Sequence, residues 1–275
     1  MTQQHTSFIY KAFIYGFSGL TALLIVIILG YITIKGVVNI TPSLFSLKYN
    51  SENVSLLPSL INSILMMIIT LFVAIPIGLG SAIYTVEYSK KGSKFIDLVR
   101  LCSVTLSGIP SIVYGLFGLL FFVTKLHFGL SLLSGSLTLA IMVLPSIFRT
   151  SEEALLSVPQ TFREASFALG AGKIITIFKA VIPSAIPGIL SGVILASGRI
   201  IGESAALLYT AGTVAQTPSS LFSSTRTMAV HMYVLSSEGL YLKQAFATGF
   251  VLVLIIVVMN ALSVYLAKKV GVKNG

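Results

Sequence analysis

Two opposite charges, Arg199 and Glu203, interrupt a segment that is otherwise apolar. If the helix that carries them begins near Pro187, Arg199 lies about 18 Å along its axis, because each residue adds about 1.5 Å. That position is near the middle of a hydrocarbon layer about 30 Å thick. A charged side chain is costly at this depth and is by default a functional hypothesis. The spacing of four residues places Glu203 on the same helical face, close enough to compensate the arginine.

The guanidinium of Arg199 suits an oxyanion such as phosphate, because its planar fork offers paired donors and stays charged at any working pH. In this interpretation Glu203 holds the guanidinium while a pathway for the anion is empty. The alternative is a structural ion pair that packs this helix into a bundle. The residue types alone leave both interpretations open.

Small residues and bent helices are predicted around this pair. Gly198 and Gly202 give a facing helix or a ligand room to approach. Serine in a membrane helix often bonds its own backbone, but a serine can also line a pathway. The residues predicted to line this one are Ser107, Ser111 and Tyr114. The prolines that predict bent or broken helices near it are Pro110, Pro145 and Pro187.

The composition excludes most classes of soluble protein. Of the 275 residues, 55% are hydrophobic and 9% are charged, and the mean hydropathy is +0.97. Soluble domains carry about a quarter charged residues, so a soluble enzyme, a disordered chain and a nucleic-acid binder are excluded. The 18 Lys and Arg against 8 Asp and Glu give a net charge of +10. Cys102 is the only cysteine and the three histidines are scattered, so we expect no disulfide, metal site or cofactor.

Charge-free stretches predict an all-α polytopic membrane protein with six transmembrane helices. We expect a single domain over 1–275, with its core at about 59–266. With the N-terminus inside, twelve Lys and Arg residues lie on the cytoplasmic side and five lie outside, so both termini are predicted to be cytoplasmic. The predicted helices span roughly 13–35, 59–87, 99–124, 129–149, 184–208 and 244–266.

The largest loop on the predicted cytoplasmic side covers about 150–183. Capping-box spacings that begin at Thr150 and at Thr161 predict two short helices, one on each side of Pro159. Gly170 fits the left-handed position that ends the second helix. We therefore expect a helix-turn-helix that lies along the membrane surface.

Residues of this loop resemble a known motif. The order Glu164, Ala165, Ser166, then Gly170 and Pro183, resembles the cytoplasmic EAA loop of ABC-importer permeases. The spacing from Gly170 to Pro183 matches that pattern. Mild departures from it stand at Ser166, Ala180 and Ile182. The resemblance implies a bundle of the type I importer class, in which these loop residues contact an ATPase.

Two further stretches, 108–118 and 198–212, resemble permeases of the phosphate transport system. The second stretch is more similar to the A-type permease than to its C-type partner. The whole resemblance covers about residues 60–265. It implies a permease subunit for inorganic phosphate, which agrees with the substrate pathway predicted at Arg199 and Glu203. The chain carries no ATP-binding motif, so we expect no ATPase site of its own.

The same resemblance implies a set of partners. In that family the loop inserts a short coupling helix into a groove on an ATP-binding cassette subunit. We therefore expect ATPase subunits, a second related permease that completes a heterodimer, and an extracytoplasmic phosphate-binding protein. The expected location is the cell membrane of a prokaryote, in contact with the lipid bilayer, with no nucleic acid partner.

The sequence is also compatible with other functions. A permease for molybdate or sulfate would use Arg199 equally well. An intramembrane enzyme would need clustered acids and histidines, whereas Asp97 is the only aspartate in the chain. A passive channel or scaffold would leave the amphipathic inner loop without a purpose, and co-purification of an ATPase would distinguish it from an importer subunit.

Overall fold

A computed structural model describes residues 2–90 and 92–272, with side chains described outside 2–9, 12, 263 and 266–272. Its regular structure is helical and contains no strand within these ranges, which confirms the predicted all-α class. The α-helices are α1 (Thr2–Val38), α2 (Leu57–Ile83), α3 (Lys94–Ser107), α4 (Ser111–Gly118), α5 (Leu132–Leu156), α6 (Gln160–Ala168), α7 (Lys173–Thr176), α8 (Ile182–Gly202), α9 (Ala205–Thr210), α10 (Met228–Glu238) and α11 (Leu242–Val272). Turns of π-helix follow α2, α4 and α7 at Tyr84–Tyr88, Leu119–Lys125 and Ile177–Val181.

The number of spans agrees with the six predicted. Five segments are long and apolar enough to cross a membrane, and α3 with α4 makes a sixth if the two are counted together. The five are Phe13–Val38, Leu57–Tyr88, Leu132–Leu156, Lys173–Gly202 and Leu242–Leu262. Only the segment that includes the predicted 99–124 helix is therefore not a continuous span.

The predicted 99–124 helix is broken rather than continuous. Helices α3 and α4 meet at an angle of 101°. Pro110 lies in the break with extended backbone, at φ −60° and ψ 143°. Proline has no N–H to donate and its ring clashes with the preceding turn, so it ends a helix readily. Pro145 and Pro187 lie inside α5 and α8, which continue through them.

The fourth and fifth spans differ from the predicted bounds. Helix α5 continues past residue 149 to Leu156, so Thr150 lies inside it and donates its hydroxyl to the Ser146 carbonyl at 2.9 Å. The predicted separate helix beginning at Thr150 is wrong, because the buried side chain of Leu155 keeps the last turns of α5 packed on the bundle. Helix α8 ends at Gly202, six residues before the predicted bound of 208.

Helix α5 lies at the centre of the bundle. It contacts α2, α3, α4, α8 and α9. In the most apolar 18-residue stretch of α5, 67% of the residues are buried. The corresponding fractions are 28% for the span that contains α2 and 0% for the span in α1. Helix α1 packs against α11 at the periphery, so most of its apolar surface faces outward. The core therefore consists of α2, α5 and α8.

Close packing in this core depends on glycine. A Cβ placed on Gly78 of α2 would lie 2.9 Å from Ile147 Cγ2 in α5. In the same helix a Cβ on Gly80 would meet nothing within 4 Å. Membrane helices gain no hydrophobic free energy from leaving lipid for one another, so small residues that permit contact are the main source of packing.

Gly78→Val is expected to destabilise the purified protein. The extra methyl groups must separate α2 from α5, and overpacking of this kind costs about 1–3 kcal/mol. Gly80→Val is the matched control, because it adds the same side chain two residues away at an exposed position. The measurement is the midpoint of thermal unfolding in detergent. Equal midpoints for the two variants would contradict the packing shown by the structure.

Candidate functional site

Arg199 lies in the last turn of α8 and its side chain is exposed on the surface of the chain. No hydrogen bond or ion pair joins its guanidinium to another described residue. Its charge is close enough to act on the phenol of Tyr114 in α4. The C-terminal end of a helix carries partial negative charge, which favours a cation at this position. The end of the helix therefore stabilises the charge of Arg199, and no described residue accepts a hydrogen bond from its guanidinium.

Glu203 is not the partner of Arg199 that the four-residue spacing predicted. The residue has left the helix, with extended backbone at φ −76° and ψ 130°. Its carboxylate accepts a hydrogen bond from the Ala206 N–H at 3.1 Å, in the first turn of α9. The predicted same-face pair is wrong because the i,i+4 relation requires a continuous helix, and this helix ends at Gly202. Glu203 instead stabilises the start of the next helix.

Two helix breaks lie close together beside Arg199. Helix α4, which follows the first break, packs against α9, which follows the second. The contact is tight, since a Cβ on Gly115 would lie 2.8 Å from Ala206 Cα. Across the first break Tyr114 donates its hydroxyl to the Leu106 carbonyl at 2.7 Å, which satisfies an acceptor at the end of α3. The structure thus brings Tyr114 and Arg199 to one region.

The other two residues predicted to line the pathway, Ser107 and Ser111, form no hydrogen bond with Arg199 in the described structure. Ser107 is exposed and donates to the Val104 carbonyl of its own helix at 2.7 Å. Ser111 is half-buried at the start of α4. No described contact joins either serine to Arg199. Their role in a pathway stays a prediction.

One face of α8 is left uncovered by the rest of the chain. Its exposed residues recur at helical spacing and are Gly188, Ser191, Leu195, Arg199 and Gly202. An unpaired arginine on an apolar helix is strongly disfavoured against lipid and is normally found facing a water-filled space or another protein surface. This open face of α8 is therefore the candidate pathway surface.

The EAA-like residues lie on α6 and the turn that follows it. Glu164 and Ala165 are exposed, and Ser166 is half-buried with its hydroxyl 2.8 Å from that of Thr176. Pro183 lies in the first turn of α8. The expected cap at Thr161 is wrong, because α6 begins at Gln160 with no side-chain cap. An extended Pro159 starts the helix before Thr161 is reached.

Gly170 ends α6 as predicted. Its φ of +80° lies in the left-handed region, which a side chain rarely adopts. The Gly170 N–H bonds the Phe167 carbonyl at 2.9 Å, and the Ala171 N–H bonds the Ser166 carbonyl at 3.1 Å. This pair of bonds is the Schellman arrangement that closes many helices.

The α6 segment presents an uncovered apolar surface. None of the residues of α6 is buried. Leu169 is 89% exposed immediately after the helix, and Phe162 and Phe167 are also exposed. Apolar side chains gathered on a short loop helix mark an interaction surface rather than a core.

Two ion pairs near this segment were missed by sequence reasoning. Arg163 of α6 contacts Glu87 with an N–O distance of 2.7 Å, and Arg100 of α3 contacts Glu152 of α5 at 2.9 Å. The partners are 76 and 52 residues apart in the chain. No local spacing connects residues so distant, so a single sequence holds no signal for these pairs.

His231, which lies outside the candidate membrane spans, is buried beside Arg226. Burial and the nearby Arg226 charge lower the pKa of His231 in α10 to about 4. The imidazole is therefore neutral near pH 7, and its Nδ1 lies 3.3 Å from Arg226 Nη1. Because the arginine can only donate, Nδ1 is the acceptor. Within the described residues no group of His, Cys, Asp and Glu forms a metal site.

Sequence comparison identifies related proteins. The sequence profile of the family described as binding-protein-dependent transport system inner membrane component matches residues 74–272. The probable ABC transporter permease protein YqgI of Bacillus subtilis (strain 168) is 37% identical over 264 residues, which cover 89% of this chain and 90% of that protein. The phosphate transport system permease protein PstA of Mycobacterium leprae is 38% identical over 154 residues, or 56% of this chain. That match spans only 50% of the PstA protein.

Structure comparison identifies the fold. A chain of the MetNI methionine ABC transporter in an inward-facing conformation aligns with a TM-score of 0.62 and 19% identity, covering 76% of this chain and 93% of that chain. A chain from the crystal structure of an amino acid ABC transporter with histidines aligns with a TM-score of 0.52 and 17% identity, covering 78% and 92%. At these identities the likeness is one of fold alone.

Proposed function

Because this chain belongs to the family of binding-protein-dependent transport system inner membrane components, we propose that it is the permease subunit through which an ATP-driven importer carries inorganic phosphate. Membership of this family makes it a membrane transport component. The choice of phosphate is supported by similarity to relatives named as phosphate permeases and by the chemistry of Arg199.

The observation that carries the proposal is the free guanidinium of Arg199 on the open face of α8. A guanidinium with unused donors can form paired hydrogen bonds with a tetrahedral oxyanion as it passes. Glu203 forms no ion pair with it, and the Glu203 carboxylate accepts the Ala206 N–H instead. In this proposal Arg199 contacts the anion, and Glu203 maintains the helix break that gives the anion room.

The proposed complex has partners on two surfaces. A second related permease covers the open face of α8, so that the pathway lies between the two subunits. ATP-binding cassette subunits, which hydrolyse ATP in their own sites, dock on the exposed apolar surface of α6. An extracytoplasmic phosphate-binding protein delivers the anion at the opposite end. This arrangement places α6 and both termini on the cytoplasmic side of a prokaryotic cell membrane, in accord with the excess of Lys and Arg on that side.

Arg199→Gln is expected to reduce phosphate uptake by about 10- to 100-fold. A hydrogen bond to a charged group contributes about 1.5–3 kcal/mol, and each 1.4 kcal/mol is about tenfold. Arg199→Lys should retain little uptake, since an ammonium lacks the paired-donor geometry. The measurement is radiolabelled phosphate uptake per membrane-inserted complex, with molybdate and sulfate as competitors.

Glu203→Gln is the matched control for this experiment. The amide oxygen of Gln still accepts from the Ala206 N–H, so uptake should remain near the wild-type value. The double variant Arg199→Gln/Glu203→Gln should be as inactive as Arg199→Gln alone, because no ion pair joins the two side chains. Recovery of uptake in the double variant would contradict the pathway role, and competition by molybdate or sulfate stronger than that by phosphate would indicate another oxyanion.

Gly170→Val is expected to abolish uptake by disturbing the docking surface. Its left-handed φ costs a β-branched residue about 1 kcal/mol or more, so the turn after α6 must change shape. Gly172→Val is the control, because Gly172 has an ordinary extended backbone and open space around it. The measurement is co-purification of the ATPase together with phosphate uptake at equal insertion levels. Normal uptake by the Gly170 variant would refute the docking role of this turn.

A further inference from the structure

Helix α6 is attached to the bundle by polar contacts rather than by an apolar core. None of its residues is buried, and Arg163 and Ser166 are its half-buried positions. They are three residues apart, so they project from one face of the helix. The Ser166 hydroxyl contacts the Thr176 hydroxyl at 2.8 Å at the end of α7. The orientation of α6 therefore depends on a few directional bonds.

Arg163 forms the most extensive of these contacts. Its Nε and Nη2 both donate to Glu87 Oε1, at 3.0 Å and 2.7 Å. Its Nη1 donates to the Val158 carbonyl at 2.9 Å, and its Nη2 also donates to the Leu155 carbonyl at 3.1 Å. The Arg163 and Glu87 side chains are only 11% and 9% exposed. Exclusion of water strengthens each of these bonds and fixes their geometry.

Glu87 connects this arginine to the core of the membrane bundle. It lies in the π-helical turn Tyr84–Tyr88, which continues α2 without interruption. Helix α2 packs along α5 at the tight contact of Gly78 with Ile147. The two carbonyls that Arg163 bonds belong to the end of α5 and the residues after it. One side chain therefore joins α6 to the ends of both central helices.

We propose that Arg163 and Glu87 are positioning residues that fix α6 to α2, so that a displacement of α6 by its partner moves α2 through this ion pair. The coupling part of this inference rests on the proposed function, in which the partner is an ATPase. The positioning part rests on the geometry of this chain alone. Neither residue belongs to the open face of α8.

The pair between Arg100 and Glu152 provides a matched control. Its N–O distance is 2.9 Å, and it joins α3 to α5 with no hydrogen bond to α6 among the described residues. Its glutamate is 10% exposed, close to the value for Glu87, although its arginine is 45% exposed. Loss of this pair removes an ion pair between helices but should leave the orientation of α6 unchanged.

The first experiment measures the position of α6 in the full chain without any partner. Spin labels are placed at Leu169→Cys and Phe72→Cys in a Cys102→Ser background, since both sites are highly exposed. Pulsed electron paramagnetic resonance in lipid nanodiscs then gives the distribution of distances between the two spin labels. Arg163→Gln/Glu87→Gln should broaden this distribution at least twofold. Arg100→Gln/Glu152→Gln should leave it unchanged, and equal widths in all three proteins would overturn the proposal.

The double variant is chosen because it removes both charges together. A single change leaves an uncompensated charge in a nearly buried site, which can prevent folding, whereas removal of both partners is milder. Arg163→Lys adds a conservative test. Lysine keeps the charge beside Glu87 but loses the bonds to the two carbonyls, so it should give an intermediate width.

The second experiment measures coupling in the assembled transporter in proteoliposomes. The readout is radiolabelled phosphate transported per ATP hydrolysed. Arg163→Gln/Glu87→Gln should lower this ratio about tenfold or more while ATP hydrolysis continues, and the Arg100 and Glu152 control should keep the wild-type ratio. A wild-type ratio in the double variant would overturn the coupling role. Absence of phosphate transport by the wild-type complex would instead refute the proposed function, and the label distances would still decide whether the pair positions α6.

Discussion

Backbone polar groups inside an apolar layer require partners within the protein, and the arrangement of this chain depends on that constraint. Most spans meet it as continuous helices. At the α3–α4 break the Tyr114 hydroxyl bonds the Leu106 carbonyl, and at the α8–α9 break the Glu203 carboxylate bonds the Ala206 N–H. Both breaks lie where α4 packs on α9. Two stretches of irregular backbone therefore lie beside Arg199, each with a hydrogen bond that satisfies part of its polar backbone.

Two arginines of the same chain differ in how far their donors are satisfied. Arg163 forms four hydrogen bonds, two to Glu87 and two to backbone carbonyls. A guanidinium saturated in this way cannot bind a ligand without losing those bonds, so it suits a structural link. Arg199 has no hydrogen bond to the described residues and faces outward. Its surroundings favour contact with a mobile anion or with a partner surface.

Features that depend on local chemistry were predicted from the sequence. The number of spans follows from apolar length, because each helix must satisfy its backbone within itself whatever its neighbours are. The left-handed turn at Gly170 follows from the freedom of glycine at positive φ. The EAA-like order of Glu164, Ala165 and Ser166 correctly indicated the family and a short loop helix. Each of these inferences uses residues within one continuous stretch of the chain.

The sequence by itself therefore determined the all-α class, the six apolar segments and the loop helix. Only the tertiary structure decided which charges meet. The spacing of Arg199 and Glu203 predicted a pair, but the helix ends between them and Glu203 bonds the next helix. Pro110 breaks a helix, whereas Pro145 lies inside one that continues. The ion pairs that do form, Arg163 with Glu87 and Arg100 with Glu152, join residues 76 and 52 positions apart in the chain. Their partners come from other helices that pack against them, and no local pattern contains that information.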